Sequence, residues 1–365
     1  MFSTDFKTIQ LEIEQVNPVT YSKTRNFIDG SVSHLSPYIS RGVISTRQVY
    51  KSLLNKGYKF YEIEKLVQEL AWRDYWQQVW ISKGEEINND LKWAQPAVQN
   101  HSMPSNIINA TTGIDAIDES IRSFYETGYL HNHMRMYIAS LACNIGHSHW
   151  KLPAQWMYYN LLDADWASNG LSWQWVAGSN SSKQYVANQE NINKYSKRYQ
   201  RSTFLDVSYE QLPPDTVPSA LKQVSKPELV TVLPKNHAIE IDESLPTYIY
   251  NFYNLDPQWH EDTKANRILL LEPSHFSVYP VAEHTIEFIL KLAENILGVQ
   301  IFTGEFYELV KKNTLSKIFY KEHPLNKHYK GTEEPRDWMF KVKGYYPSFF
   351  AYWKQCAKQL PNEGS

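Results

Sequence analysis

Cysteine is nearly absent from this chain: Cys143 and Cys356 are the only two in 365 residues. That excludes a disulfide framework and an iron–sulfur cluster, which usually takes four thiolates. Long apolar runs are lacking too, so no segment reads as a membrane span. The N-terminal MFSTDFKTIQLEIEQ has no basic stretch followed by an apolar one, so no signal peptide is expected and the expected location is cytoplasmic. Neither sign of charge dominates: 37 Lys and Arg face 39 Asp and Glu, a net charge of −2. Binding by blanket phosphate neutralisation is therefore excluded, although a local basic track is not. Glycine is sparse at 14 residues, and no glycine-rich dinucleotide fingerprint follows a strand pattern. There is no internal repeat and no low-complexity tract.

Aromatic residues are plentiful at 14%, including 12 Trp and 25 Tyr. Packed cores account for most of them, and stacking on a planar ligand has to be argued position by position. The first two hundred residues read as helix. Apolar residues recur at three- and four-residue spacing over 61–81, 112–127 and 131–145. Thr112-Gly113 with Asp115 and Asp118 predicts a helix start. Prolines 213, 214, 218, 227 and 234 punctuate a linker over 206–245. Beyond it, β-prone runs at 248–253, 268–271, 299–302 and 317–320, with a helical period over 281–296, predict a small α/β layer with at least one βαβ crossover. The expected fold is mainly α: an all-helical domain over 1–205, the linker, and a smaller α/β domain over 246–365.

Four segments carry chemistry. On a helix, Glu69, Trp72, Arg73 and Trp76 share one face, which puts a carboxylate, a guanidinium and two indoles on one stripe. A surface ion pair beside two core tryptophans would give the same pattern. In the Gly128–Met136 stretch, Asn132, Arg135 and Met136 also share a face. His131, His133, His147 and His149 suggest a metal, but histidines two apart diverge on a helix, and no metal site is expected. Asp163-Ala-Asp165 begins like a calcium loop but fails, with Ala167 at position five and Gln174 at position twelve. It reads instead as a polar turn presenting Asp and Asn beside Trp173-Gln-Trp175. Ser33-His-Leu35-Ser36-Pro37 predicts a turn entering a helix, whose N–H groups and hydroxyls suit a phosphate or a plain cap.

In order and spacing, these blocks together resemble the FAD-binding domain of photolyases and cryptochromes over residues 15 to 200. The resemblance implies a U-folded FAD inside a helical domain. Tyr21, Ser33, Leu35, Ser36 and Arg73 would contact the diphosphate and its surroundings. Asp163 would pair with Arg135 near the isoalloxazine, with Asp165 and Ser168 on the cofactor side and Asn169 facing flavin N5. It further implies a pyrimidine dimer flipped from damaged DNA against Trp72, Trp175 and Met136, read by Glu69 and Asn132. Asn132 and Met136 stand where photolyases of the (6-4) lesion have histidines, so the pocket resembles the cyclobutane-dimer type. Trp173, Trp150 and Trp93 match an electron relay. Arg25 matches a DNA contact, and His133 replaces the family's usual Arg.

No counterpart of the family's N-terminal antenna domain is expected at this position, nor is a second chromophore expected in the C-terminal domain. Lys194, Lys197, Arg198 and Arg201, at i, i+3, i+4 and i+7, would line one helix face as a phosphate track or as a solvated surface. The activity this implies is light-dependent repair by electron transfer from reduced FAD. The rival is a blue-light sensor of the cryptochrome kind, which shares the cofactor and the relay.

Overall fold

A computed structural model describes residues 2–360. The chain divides into two compact units, neither continuous in sequence. Among the described residues, one comprises 19–32 and 83–229, the other 2–18, 33–82 and 230–360. The division cuts the helical half near residue 83, so the units do not coincide with a boundary at 205 and 246.

The first unit is helical. Its one sheet is a two-residue antiparallel pair, β1 (Met103–Pro104) with β2 (Val224–Ser225). The helix Asp115–Thr127 starts as the sequence predicts: Asp118 accepts from Thr112 N at 2.8 Å, Thr112 Oγ1 at 2.7 Å and Gly113 N at 3.0 Å. The helix Asn132–Ser140 runs on into a π-helical turn, Leu141–Ile145. That turn carries the buried Asn144, whose Nδ2 donates to Val176 O at 2.9 Å and Tyr185 O at 2.7 Å. The helix Trp166–Ala177 is capped at its start by Asp165, which accepts from Ala167 N at 3.2 Å. Gly170 lets the Trp166 ring pack close: a Cβ there would lie 3.2 Å from it, and the ring would have to give by a few tenths of an ångström.

The second unit is mixed. Its long helix, Phe60–Lys83, buries Ile63, Leu66, Val67, Leu70 and Ala71 on one side. Its sheet has β3 (Pro246–Tyr250), β4 (Asn266–Leu271), β5 (Val299–Thr303), β6 (Ser316–Lys321) and β7 (Thr332–Glu334) in the order β5-β4-β3-β6-β7, all pairs parallel. The helix Glu283–Ala293 makes the crossover between β4 and β5. Ile249, Ile268, Leu270, Phe302, Leu309 and Tyr320 form a core cluster. The expectation of a mainly α chain is thus corrected: a five-stranded parallel sheet makes the protein mixed α/β.

Residues 336–356 leave the sheet and strap across the unit's helices. Arg47 Nε donates to Trp338 O at 2.6 Å, Gly344 N donates to Gln78 Oε1 at 2.9 Å, and Tyr75 OH donates to Tyr346 O at 3.1 Å. The sequence gives little warning of this, because the strap has one helix, Phe349–Cys356, and no strand.

Candidate functional site

In the helical unit, the structure brings Arg135 and Asp163 together. The guanidinium donates to Asp163 Oδ2 at 3.0 Å, and its Nε donates to Leu130 O at 2.8 Å. Asp163 is 4% exposed, and a carboxylate so buried needs such a partner. Asn169 Nδ2 donates to Ala154 O at 2.7 Å, which fixes the amide and presents Oδ1 as an acceptor. Ser168 Oγ donates to Asp165 Oδ2 at 2.7 Å, so Asp165 and Ser168 bond each other while Asp165 caps the helix. Trp173 is buried, whereas Trp175, two residues on, is 39% exposed and tilts against Tyr185 with ring centroids 6.2 Å apart. Asn132 is exposed and Met136 half-buried. Tyr21 lies on the short helix Pro18–Thr24, and Arg25 just after it donates to Ser22 O at 2.9 Å.

Among the relay tryptophans, Trp150 is fully buried and packs on Trp166, ring centroids 6.2 Å apart, and Trp93 is 52% exposed. Trp166 in turn donates to Asn88 Oδ1 at 2.7 Å. Asp90 and Gln95, neither of them singled out in the sequence, bond Trp150: Asp90 Oδ1 accepts from its indole N–H and Gln95 Oε1 from its backbone N–H.

The basic track needs correction. The helix Gln189–Ser196 ends at Lys197, which has the left-handed φ of 53°, so Lys197, Arg198 and Arg201 do not continue the face of Lys194. Lys197 Nζ pairs with Asp29 at 2.7 Å, and Arg198 pairs with Glu119. Lys194 and Arg201 lie over the rings of Tyr195 and Tyr199. His133 is occupied as well. Its Nδ1 bonds Asn26 O at 2.8 Å, it stacks on Tyr137, and burial lowers its pKa, so it is neutral near pH 7.

In the mixed unit, Glu69 is exposed and Trp72 and Arg73 are half-buried on the Phe60–Lys83 helix. Trp72 tilts against Trp76 at 5.0 Å. One of its faces is stacked by Phe349 of the C-terminal strap, with centroids 3.9 Å apart and planes 10° from parallel. Arg73 Nη2 donates to Ser40 Oγ, at the end of the helix Ser36–Ser40. Ser33 Oγ accepts from Leu35 N at 3.5 Å, and Leu35 is buried. At the carboxyl ends of the strands, where open α/β sheets bind ligands, Arg41 lies 3.5 Å over the Phe252 ring and Leu255 N donates to Arg41 O at 2.9 Å. His323 stacks on Tyr253 at 4.2 Å beside it. The chain's own residues therefore occupy this edge of the sheet. Glu272, at the end of β4, is likewise engaged, accepting from Phe306 N, His328 and Tyr329 OH.

Residues 66–205 match the FAD binding domain of DNA photolyase. Through this segment the chain is related to the photolyases and cryptochromes, and the cofactor of that domain is FAD. It is 32% identical to a deoxyribodipyrimidine photo-lyase of Alkalihalophilus pseudofirmus over 166 residues, 43% of this chain and 34% of that one. It is 29% identical to a cryptochrome DASH of Danio rerio over 177 residues, 44% of this chain and 32% of that one. The match thus spans about a third of the length of these curated relatives. A cryptochrome from Synechocystis superposes with a TM-score of 0.46 at 22% identity, covering 53% of this chain and 44% of that structure. No helix among the described residues is long and apolar enough to cross a membrane.

Proposed function

We propose that the protein is a light-dependent FAD flavoprotein that repairs cyclobutane pyrimidine dimers in DNA. The observation that carries this reading is the change of exposure along one segment. Asp163, Asp165, Asn169 and Trp173 are buried, as groups facing an enclosed cofactor should be, while Trp175 keeps 39% exposure. Bound FAD would supply light absorption and one-electron transfer. The chain's own contribution follows from its donors and acceptors. Arg135, held by Asp163, would offer bound flavin a fixed cation, and Asn169, its Nδ2 engaged by Ala154 O, would offer Oδ1 as an acceptor to the flavin. Tyr21, Ser33, Leu35, Ser36 and Arg73 are the proposed diphosphate contacts. Trp175, Met136 and Trp72 are proposed walls for a flipped dimer, with Glu69 and Asn132 bonding its edges. Exposure of Glu69, Asn132 and Trp175 suits groups that meet a macromolecular substrate.

A blue-light sensor without repair is the second reading. It is favoured by the pairing of Lys197 with Asp29 and of Arg198 with Glu119, which leaves that stretch less charge to offer a phosphate backbone. The test is FAD content and light-dependent loss of a thymine dimer from an oligonucleotide, for the wild type and for Trp175→Ala. Flavin retained with repair and lesion binding lost in the variant supports the repair reading. Photoreduction with no repair in the wild type supports the sensor. A folded protein that takes up no FAD refutes both.

A further inference from the structure

The indole N–H of Trp150 is fully buried and donates to Asp90 Oδ1 at 2.8 Å. A neutral carbonyl would satisfy a buried indole; here the acceptor is a carboxylate. Its placement is over-determined. Asp90 Oδ2 accepts from Gln95 N at 2.8 Å, Gln95 Oε1 accepts from Trp150 N at 2.8 Å, and Gln95 Nε2 donates to Ser148 O at 2.9 Å. The loop of bonds therefore closes from Asp90 through Gln95 to Trp150 and back. His149 Nδ1 accepts from Lys151 N at 3.3 Å, which leaves the proton on Nε2, 3.3 Å from Asp90 Oδ1. The Asp90 side chain keeps 24% exposure while the ring it serves has none, so the carboxylate joins a dry indole to solvent.

We propose that Asp90 is the proton acceptor for oxidised Trp150. This rests on the relay reading, in which photoexcited oxidised flavin is the oxidant and Trp173 lies between. One electron leaves the Trp150 ring towards the flavin. The Nε1–H bond then breaks with its electron pair staying on nitrogen, and the proton bonds to Asp90 Oδ1. The products are a neutral indolyl radical and a carboxylic acid, and the flavin holds the electron. An indole that has lost an electron is an N–H acid of about a carboxylic acid's strength, whereas the intact ring is scarcely acidic at all, so transfer along this bond follows oxidation and not the reverse. Loss of the proton removes the positive charge that draws the electron back. Asp90 thus gives the relay a proton trap at its buried member, ahead of any exposed one.

The experiment has a dark arm and a light arm. In the dark, with nitrogen-15-labelled tryptophan, the Nε1–H resonance that disappears in Trp150→Phe is expected to shift strongly in Asp90→Asn. No shift overturns the contact itself. In the light, transient visible and infrared absorption of the FAD-loaded protein is followed in H2O and D2O. The wild type should form a neutral indolyl radical with a solvent isotope effect, together with a new protonated-carboxyl band. Asp90→Asn should keep the radical in its cationic form, and charge recombination should be at least about tenfold faster. Asp90→Glu, which restores the base, should recover the neutral radical. The same neutral radical at the same rate and isotope ratio in Asp90→Asn overturns the proposal. If Asp90→Asn loses its flavin, the wild-type carboxyl band decides alone, and its absence overturns the proposal. Failure of the relay reading looks different: Trp150→Phe, with Asp90 intact, would then photoreduce as the wild type does.

Discussion

Asp74 offers a test of how the C-terminal strap is held. It sits on the Phe60–Lys83 helix, 6% exposed, and accepts from Thr46 Oγ1 at 3.0 and 3.1 Å and from Met339 N at 3.0 Å. Burial is the largest influence on its carboxyl and raises the pKa from 3.8 to about 6, against the pull of those bonds and of Arg336 and Arg73. The folded state therefore holds this proton more tightly than the unfolded chain does. Between the two values folding takes up a proton, so the group's contribution is most favourable below 3.8 and declines as pH rises through about 6. At about 1.4 kcal/mol per unit, the decline is ~3 kcal/mol. Asp74→Asn keeps an oxygen for Met339 N and removes the titration. Denaturant unfolding of both proteins from pH 4 to pH 7.5 covers most of that decline and gives a stability difference that should move by ~2 kcal/mol in favour of the variant as pH rises. Asp256, also raised to about 6, pulls the same way, and His275, lowered to about 3, pulls the opposite way. Both are common to the two proteins and cancel in the difference. A difference that stays flat with pH refutes the argument that burial governs Asp74.

His275 carries the opposite sign: kept neutral by burial and by Arg41, it favours the folded state fully only above its ordinary 6.5, and His275→Asn should flatten the loss of stability as pH falls from 6.5 towards 4. Phe349→Ala removes a side chain 2% exposed and stacked on Trp72, and should cost about 3–5 kcal/mol in thermal or urea unfolding, with a changed near-ultraviolet tryptophan signal. If the strap is only draped over Trp72, that cost falls below about 1 kcal/mol. Glu69→Ala should lower repair while flavin content and melting temperature hold, because Glu69 is exposed and has little burial to lose. Equal loss of repair and flavin would make Glu69 a structural group.

The parts of the fold that were legible are those where a local pattern and a burial pattern coincide. The Phe60–Lys83 helix shows its three- and four-residue spacing in its first half, where Ile63, Leu66, Val67, Leu70 and Ala71 are buried on one side. β4 reads as strand because Asn266–Leu271 is buried on both faces and rich in β-prone residues. β7 is three residues long and mostly exposed, and it leaves no period to read. The basic run at 194–201 misled because a spacing of i, i+3, i+4 and i+7 carries meaning only on a continuous helix, and Lys197 turns left-handed in its middle.

The candidate site was legible to a different depth. A motif names residues whose chemistry is unusual together, and Asp163, Arg135 and Asn169 were visible on that ground. Their order along the chain could not say that Asn169 spends its amide N–H on Ala154 O, which decides that it offers an oxygen. Partners distant in sequence were invisible for a simple reason: neither member is odd alone. Asp90 is one carboxylate in a polar loop and Trp150 one of twelve tryptophans, sixty residues apart. Only folding joins them, and it joins a charge to a buried N–H, an arrangement that costs desolvation of the carboxylate and is kept where that charge has a use. The same reasoning separates Asp90 from Asp163. The latter meets a permanent cation, the Arg135 guanidinium. Asp90 meets a neutral indole whose acidity rises only when an electron has left it, so its function is to be sought in the light.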